Sequence, residues 1–293
     1  MRRNIMVLSL LAVAALLLSP VGVSADAVKE KSYLSLGADL KPAEKEKVLS
    51  LLDVEEDDLD EYTVVTVTNQ DEHTYLDDYL SPSVIGSRAL SSVLIEKEEK
   101  NHGIEVTTKN ITYCTPGMYQ NALTTAGITD AEVVVAGPFE ITGTAALVGA
   151  MKAYEEMSGE KISEDNKDAA TNELIVTGEL AEELNDSEKA EQFLAFIKEE
   201  VLSADIKDKE EIYDLIDRCA EEMKIEITES QRKEIADLME KINGLDLDID
   251  QLKKQASDIY DKLSQMDLNT EGFFDKIMAA LGQFLEAIRG LFK

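Results

Sequence analysis

Thr115–Met157, TPGMYQNALTTAGITDAEVVVAGPFEITGTAALVGAMKAYEEM, decides the fold, because it reads as helix, strand and helix in close succession. Thr115-Pro116 supplies an N-cap and a first helical residue, and Gly127 closes that helix. Ala131 to Ala136 is short, apolar and rich in valine, the pattern of a buried strand. Thr142 then opens a helix that runs to Met157. Toward the N-terminus, Leu90–Lys97 and Gly103–Thr112 read as two strands joined around Asn101-His102-Gly103, a hairpin signal. Ser81-Pro82 opens a short helical turn, Tyr62–Thr68 is a β-branched strand, and Pro42–Leu52 is a short helix. The order β-α-β-β-α-β with one more helix predicts an α+β protein. Its N-terminal part would be a split β-α-β, ferredoxin-like layer of sheet and helices.

Beyond Gly159 the composition changes. All five prolines lie at or before Pro138, and the rest is rich in Glu, Lys, Leu, Ile and Ala. Ser163, Ser187, Asp208, Thr228 and Asp248 are candidate N-caps, with capping-box partners Glu211, Gln231 and Gln251 for the last three. Asn243-Gly244 marks a turn between helices, and Ile235, Leu238, Met239 and Ile242 recur at helical spacing. The division predicted is a signal peptide over 1–25, an α/β domain over 26–159, and a helical bundle over 160–293. The bundle ends in an amphipathic helix over 270–292.

The first residues point outside the cytoplasm. Arg2 and Arg3 precede the uncharged apolar run Ile5–Leu18, and Val23-Ser24-Ala25 ends it with small residues. That run is shorter than the roughly 20 residues a membrane span needs. No comparable run follows, so the expectation is a secreted, extracellular protein without a transmembrane span in its mature chain. The formal net charge is −31, from 60 acidic against 29 basic residues. Such a surface repels nucleic acid, whose binders must neutralise phosphates. It suits solubility in a salty exterior. Cys114 and Cys219 form no C-x-x-C motif, and the sequence leaves two alternatives: a disulfide in an oxidising compartment, or two buried free thiols.

The sequence carries none of the familiar catalytic motifs. G-x-S-x-G, H-E-x-x-H, G-x-G-x-x-G and the Walker loop are all absent. His73 and His102 are the only histidines, too few for a multi-histidine zinc site. Asp71, Glu72, Asp77 and Asp78 are close enough in sequence to hold calcium, although such charge runs usually mean no more than a solvated acidic surface. Asp53–Glu61 offers further oxygens without the glycine a calcium loop requires. Arg88 lies beside Ser87, Ser91 and Ser92 and could grip a ligand's carboxylate or phosphate, or simply pair with one of the chain's many nearby acids, the reading ordinary ion pairing favours. Thr115, and Thr142 with Thr144, stand at helix starts whose backbone N–H groups could assist, or they simply cap those helices. At the C-terminus Phe273, Phe274, Ile277 and Leu281 form an apolar face. Phe284, Ile288 and Phe292 continue it, either to dock on a membrane or partner or to close the bundle core.

Several segments carry a resemblance. LSLGADL (Leu34–Leu40), VVTVTNQDE (Val64–Glu72), GSRALSSVLI (Gly86–Ile95), TPGMYQNALTTAGI (Thr115–Ile128) and GPFEITGTAALVGAMKAYE (Gly137–Glu155) resemble the secreted Gram-positive family catalogued as domain of unknown function 1002. The resemblance implies export and a cell-envelope role, and it implies no reaction and no catalytic residues. The expected function is therefore non-catalytic binding at the envelope, with an envelope protein, a wall component or the membrane surface as partner. The alternatives are an envelope hydrolase using Asp71, Glu72, Asp77 or Asp78, or a calcium-dependent extracellular protein. No cofactor is expected, with calcium the one candidate.

Overall fold

The computed structural model describes residues 32–250 together with 252 and 254. The leader over 1–25 and the apolar face over 270–292, from Phe273 to Phe292, lie outside the described residues. The protein is α+β: a five-stranded sheet in the first half, then a run of helices. The sheet half is built from β1 (Tyr33–Gly37), α1 (Pro42–Leu51), β2 (Thr63–Val67), α2 (Asn69–Leu76), α3 (Pro82–Ile85) and β3 (Ser92–Lys97). β4 (Ile104–Ile111), α4 (Pro116–Thr125), β5 (Ala131–Ile141) and α5 (Thr144–Ser158) complete it. The helices α6 (Glu164–Leu184), α7 (Ser187–Ser203), α8 (Lys209–Met223) and α9 (Glu229–Asn243) follow.

Strand order is β2-β1-β3-β5-β4. β1 pairs parallel with β2 and β4 with β5, while β3 runs antiparallel to β1 and β5. Two β-α-β units are thus joined through one reversed strand. This corrects the ferredoxin-like arrangement and its hairpin: β5 separates β3 from β4, and β1 is an additional strand. The physical reason is burial. β5 buries side chains on both faces of the sheet, Val133 and Val135 on one and Ala136 on the other, as an interior strand does, whereas β4 buries only Ile104 and leaves its other residues partly or fully exposed, like an edge strand.

Leu34, Leu36, Leu94 and Ala136 face one side of the sheet and pack under Val48, Leu49 and Leu52 of α1 and its C-cap. Val93, Ile95, Val133 and Val135 face the other side, beneath Tyr119 and Leu123 of α4 and Leu147 and Met151 of α5. Leu174 and Ile175 of α6 join this second core. A separate core gathers Phe193 and Ile197 of α7, Leu215 and Ile216 of α8, and Leu238 and Met239 of α9. Gly159 closes α5 in the left-handed region (φ +71°), and Ser163 caps α6, whose residues enter both cores. The sequence-predicted caps Asp208 and Thr228 also hold, whereas at α7 the cap is Asp186 and Ser187 is already helical.

A buried ion pair reinforces this junction. Lys198 of α7, 1% exposed, places its Nζ 2.8 Å from Glu173 of α6. It also donates to the Asn121 carbonyl and the Thr125 hydroxyl of α4, each at 3.1 Å. Of the two alternatives for the cysteines, the structure has free thiols: Cys114 lies in the sheet core and Cys219 in the bundle core, so no disulfide joins them. Burial pushes the Cys114 thiol up to about 12, which leaves it unreactive at neutral pH.

Candidate functional site

The C-terminal ends of β1, β2 and β5 and the start of β3 meet at one end of the sheet, and two helices begin there. Thr68 follows β2 and caps α2 reciprocally: its hydroxyl accepts from the Asp71 amide, and the Asp71 carboxylate accepts from the Thr68 amide at 2.8 Å. α2 went unrecognised in the sequence, although Thr68-x-x-Asp71 is a capping-box signal that could have revealed it. The helix turns Asp71 outward, where Lys152 meets it at 2.9 Å, and Glu72 inward.

Opposite Glu72, α5 starts behind Gly143, which sits at φ +100°. A β-carbon there would crowd Ile111 and the Tyr119 hydroxyl at 2.6 Å, so both conformation and space call for glycine. Thr144 is thereby placed to donate to Glu72 Oε1 at 2.9 Å. Asn69 Nδ2 donates to Glu72 Oε2 at 3.3 Å and to the Gly86 carbonyl at 3.3 Å. Ser91 Oγ accepts from the Ala146 amide at 2.9 Å, satisfying one of the first amides of α5. Glu72, Ser91 and Thr144 line a cavity of about 290 Å³, with Arg88, Thr142 and the apolar Val84, Ile85 and Leu90 completing its wall. Glu72 is 1% exposed, and burial pushes its carboxyl up to about 7 against the opposing hydrogen bonds of Thr144 and Asn69.

The fold thus brings together residues that the sequence had assigned to two separate groups. Glu72, from the acidic group, shares a cavity with Arg88, Ser91, Thr142 and Thr144. The rest of the acidic group disperses: Asp77 bonds His73 Nδ1 at 2.6 Å, and Asp78 is exposed. Asp71, Glu72, Asp77 and Asp78 therefore do not converge on one cation. Among the described residues, no three His, Cys, Asp or Glu side chains gather as a metal site.

Arg88 is already engaged. Its guanidinium grips Glu44 with both terminal nitrogens and donates to the Asp39 carbonyl at 2.7 Å, tying the segment before β3 to the start of α1. The Arg88 hydrogen bond holds the Glu44 carboxyl below its ordinary value. Of the two readings the sequence left for Arg88, the structure has the pairing with an acid of the chain itself.

Thr115 stands at a second helix start and caps α4, accepting from the Met118 amide at 3.2 Å. Its own hydroxyl donates to Glu191, which α7 lays across Gly117. Burial pushes Glu191 up to about 7 as well, opposed by the Thr115 hydrogen bond. The sequence offered no signal for Asn69 or Glu191 beyond their polarity, since their roles come from elements distant in the chain. A further recess of about 320 Å³ lies at the opposite end of the sheet, between Lys97, Lys100, Tyr154 and Met157. Its lining side chains are all at least partly exposed, so it holds no buried polar group comparable to Glu72.

The family model described as protein of unknown function (DUF1002) matches residues 36–259, and the chain belongs to that family. It is 41% identical over 290 residues to the uncharacterized protein YpuA of Bacillus subtilis (strain 168), covering 98% of each chain. No solved structure matches it. Among the described residues, no helix is long and apolar enough to cross a membrane.

Proposed function

We propose that this member of the DUF1002 family is exported and binds, without catalysis, a small cell-wall component in the Glu72 cavity. The observation that carries the proposal is the convergence of Glu72, Ser91, Thr142 and Thr144 on one recess. Its position fits the tendency of open α/β sheets to bind ligands outside the carboxyl ends of their strands. About 290 Å³ suits a ligand the size of one sugar or one amino acid.

The chemistry favours holding over cleaving. Hydrolysis by paired carboxyl groups needs a second carboxyl about 5–10 Å from the first. Of the described residues lining the cavity, Glu72 alone is a carboxylate. With a formal charge of −31 on the chain, an uncharged or cationic wall fragment is a better partner than an anionic polymer.

The test is chemical-shift mapping of the mature protein against soluble fragments released from Gram-positive wall by a muramidase. Shifts should concentrate at Glu72, Ser91 and Thr144, spare Lys97 and Lys100, and leave the fragments intact. Cleaved fragments would make the protein an enzyme, and unmoved resonances would remove the cavity as the site. Export is checked by the mass of the protein recovered outside the cells, which should begin at Asp26. A version ending at Asn269 should leave the cell surface for the medium if the tail is a docking element.

A further inference from the structure

We infer that the cavity holds its ligand through a primary ammonium group, with the Glu72 carboxylate as the counter-ion. The inference rests on the binding reading above and adds the chemical class to it. A buried carboxylate is costly unless a cation or several hydrogen bonds compensate it. Among the described residues no cation pairs with Glu72. His73, its neighbour, turns Nδ1 to Asp77. Arg88, the nearest lining cation, is matched by Glu44. Asp39 adds negative potential at the same end, and the start of α5 reaches Glu72 only through the Thr144 hydroxyl.

The hydrogen-bond count agrees. Thr144 and Asn69 each donate once, one to each oxygen. A carboxylate has about four acceptor positions, so about two remain open. An ammonium carries three donors, enough to fill those positions and reach a hydroxyl such as Thr142 on the same wall. Val84, Ile85 and Leu90 offer an apolar surface for a short carbon skeleton. A neutral hydroxyl could use the same positions but would leave the charge unmatched. Because burial holds Glu72 near 7, an arriving cation should lower that value and expel a proton.

Calorimetry of the full mature chain with glucosamine and N-acetylglucosamine tests this, since the two share a ring and differ in the ammonium. Glucosamine should bind at least tenfold more tightly at pH 7. Its heat should vary between buffers of different ionisation enthalpy, reporting the released proton. Glu72→Gln, confirmed folded by its melting curve, should lose at least tenfold in affinity and the proton release with it. Equal binding of both sugars, or binding indifferent to Glu72→Gln, would overturn the ammonium assignment while leaving the cavity as the site. So would silence of both sugars alongside wall-fragment shifts at the cavity. Silence of sugars and wall fragments alike would remove the binding reading itself.

Discussion

At the start of α5, a buried glutamate from α2 meets Thr144; at the start of α4, a buried glutamate from α7 meets Thr115. Local chemistry is the same at both places, a carboxyl and a threonine hydroxyl at a helix N-terminus, and both carboxyls are pushed up to about 7 by burial. What differs is the cover. Glu191 lies over Gly117 and belongs to the packed junction between α4 and α7, whereas Glu72 faces a cavity. Identical local chemistry thus lies inside packed structure where a helix seals it and beside a cavity where space is left open.

The sealed side should be the more sensitive to substitution. Replacing Lys198 by Met leaves Glu173 buried without its counter-ion, and urea unfolding should record a loss of about 3–5 kcal/mol. A loss below about 1 kcal/mol would show that the α4–α6–α7 junction does not depend on this pair.

pH acts on both sides at once. The folded values of Glu72 and Glu191 are raised from 4.5 to about 7, so the folded state holds their protons more tightly than the unfolded chain. Stability contributed by the protonated forms is fully present below about 4.5 and is lost as pH rises through about 7. Each group should account for roughly 3 kcal/mol across that window. Glu72→Gln and Glu191→Gln should each flatten the profile, and each should raise stability at pH 8 relative to the parent. A profile unchanged by both variants would refute the burial argument for the pair.

Gly117→Ala separates the two helix starts. Its β-carbon would overlap the Glu191 carboxylate, and the displaced side chain should cost about 1–3 kcal/mol without altering glucosamine binding. The smallest effect belongs to Thr144→Val, which removes one hydrogen bond to Glu72 and should cost about 1 kcal/mol. It should also raise the Glu72 value further, measurable by carbon NMR of the carboxyl, since the bond it removes favours the charged form.

Most elements were legible because their signals are local. Thr115-Pro116, Ser163, Asp208 and Thr228 cap helices as their side chains require, and Asn243-Gly244 ends α9. Two short elements escaped. β1 has only five residues and borrows its stability from β2 and β3, while α2 hid behind a reading of its acids as surface charge. The hairpin expectation failed because the Asn101-His102-Gly103 turn specifies a reversal without specifying which strand pairs across it.

By itself, then, the sequence determined the α+β class, the acidic character and most helix boundaries, since capping, periodicity and charge act over a few residues. Only the tertiary structure decided strand order and the placement of Glu72. Both follow from burial between distant segments: β5 takes an interior place with apolar residues covered on both faces, and Thr144 meets Glu72 from 72 positions along the chain. A glutamate exposed on α2 would be one more surface acid. Placed under the start of α5, it is a buried charge beside an open cavity.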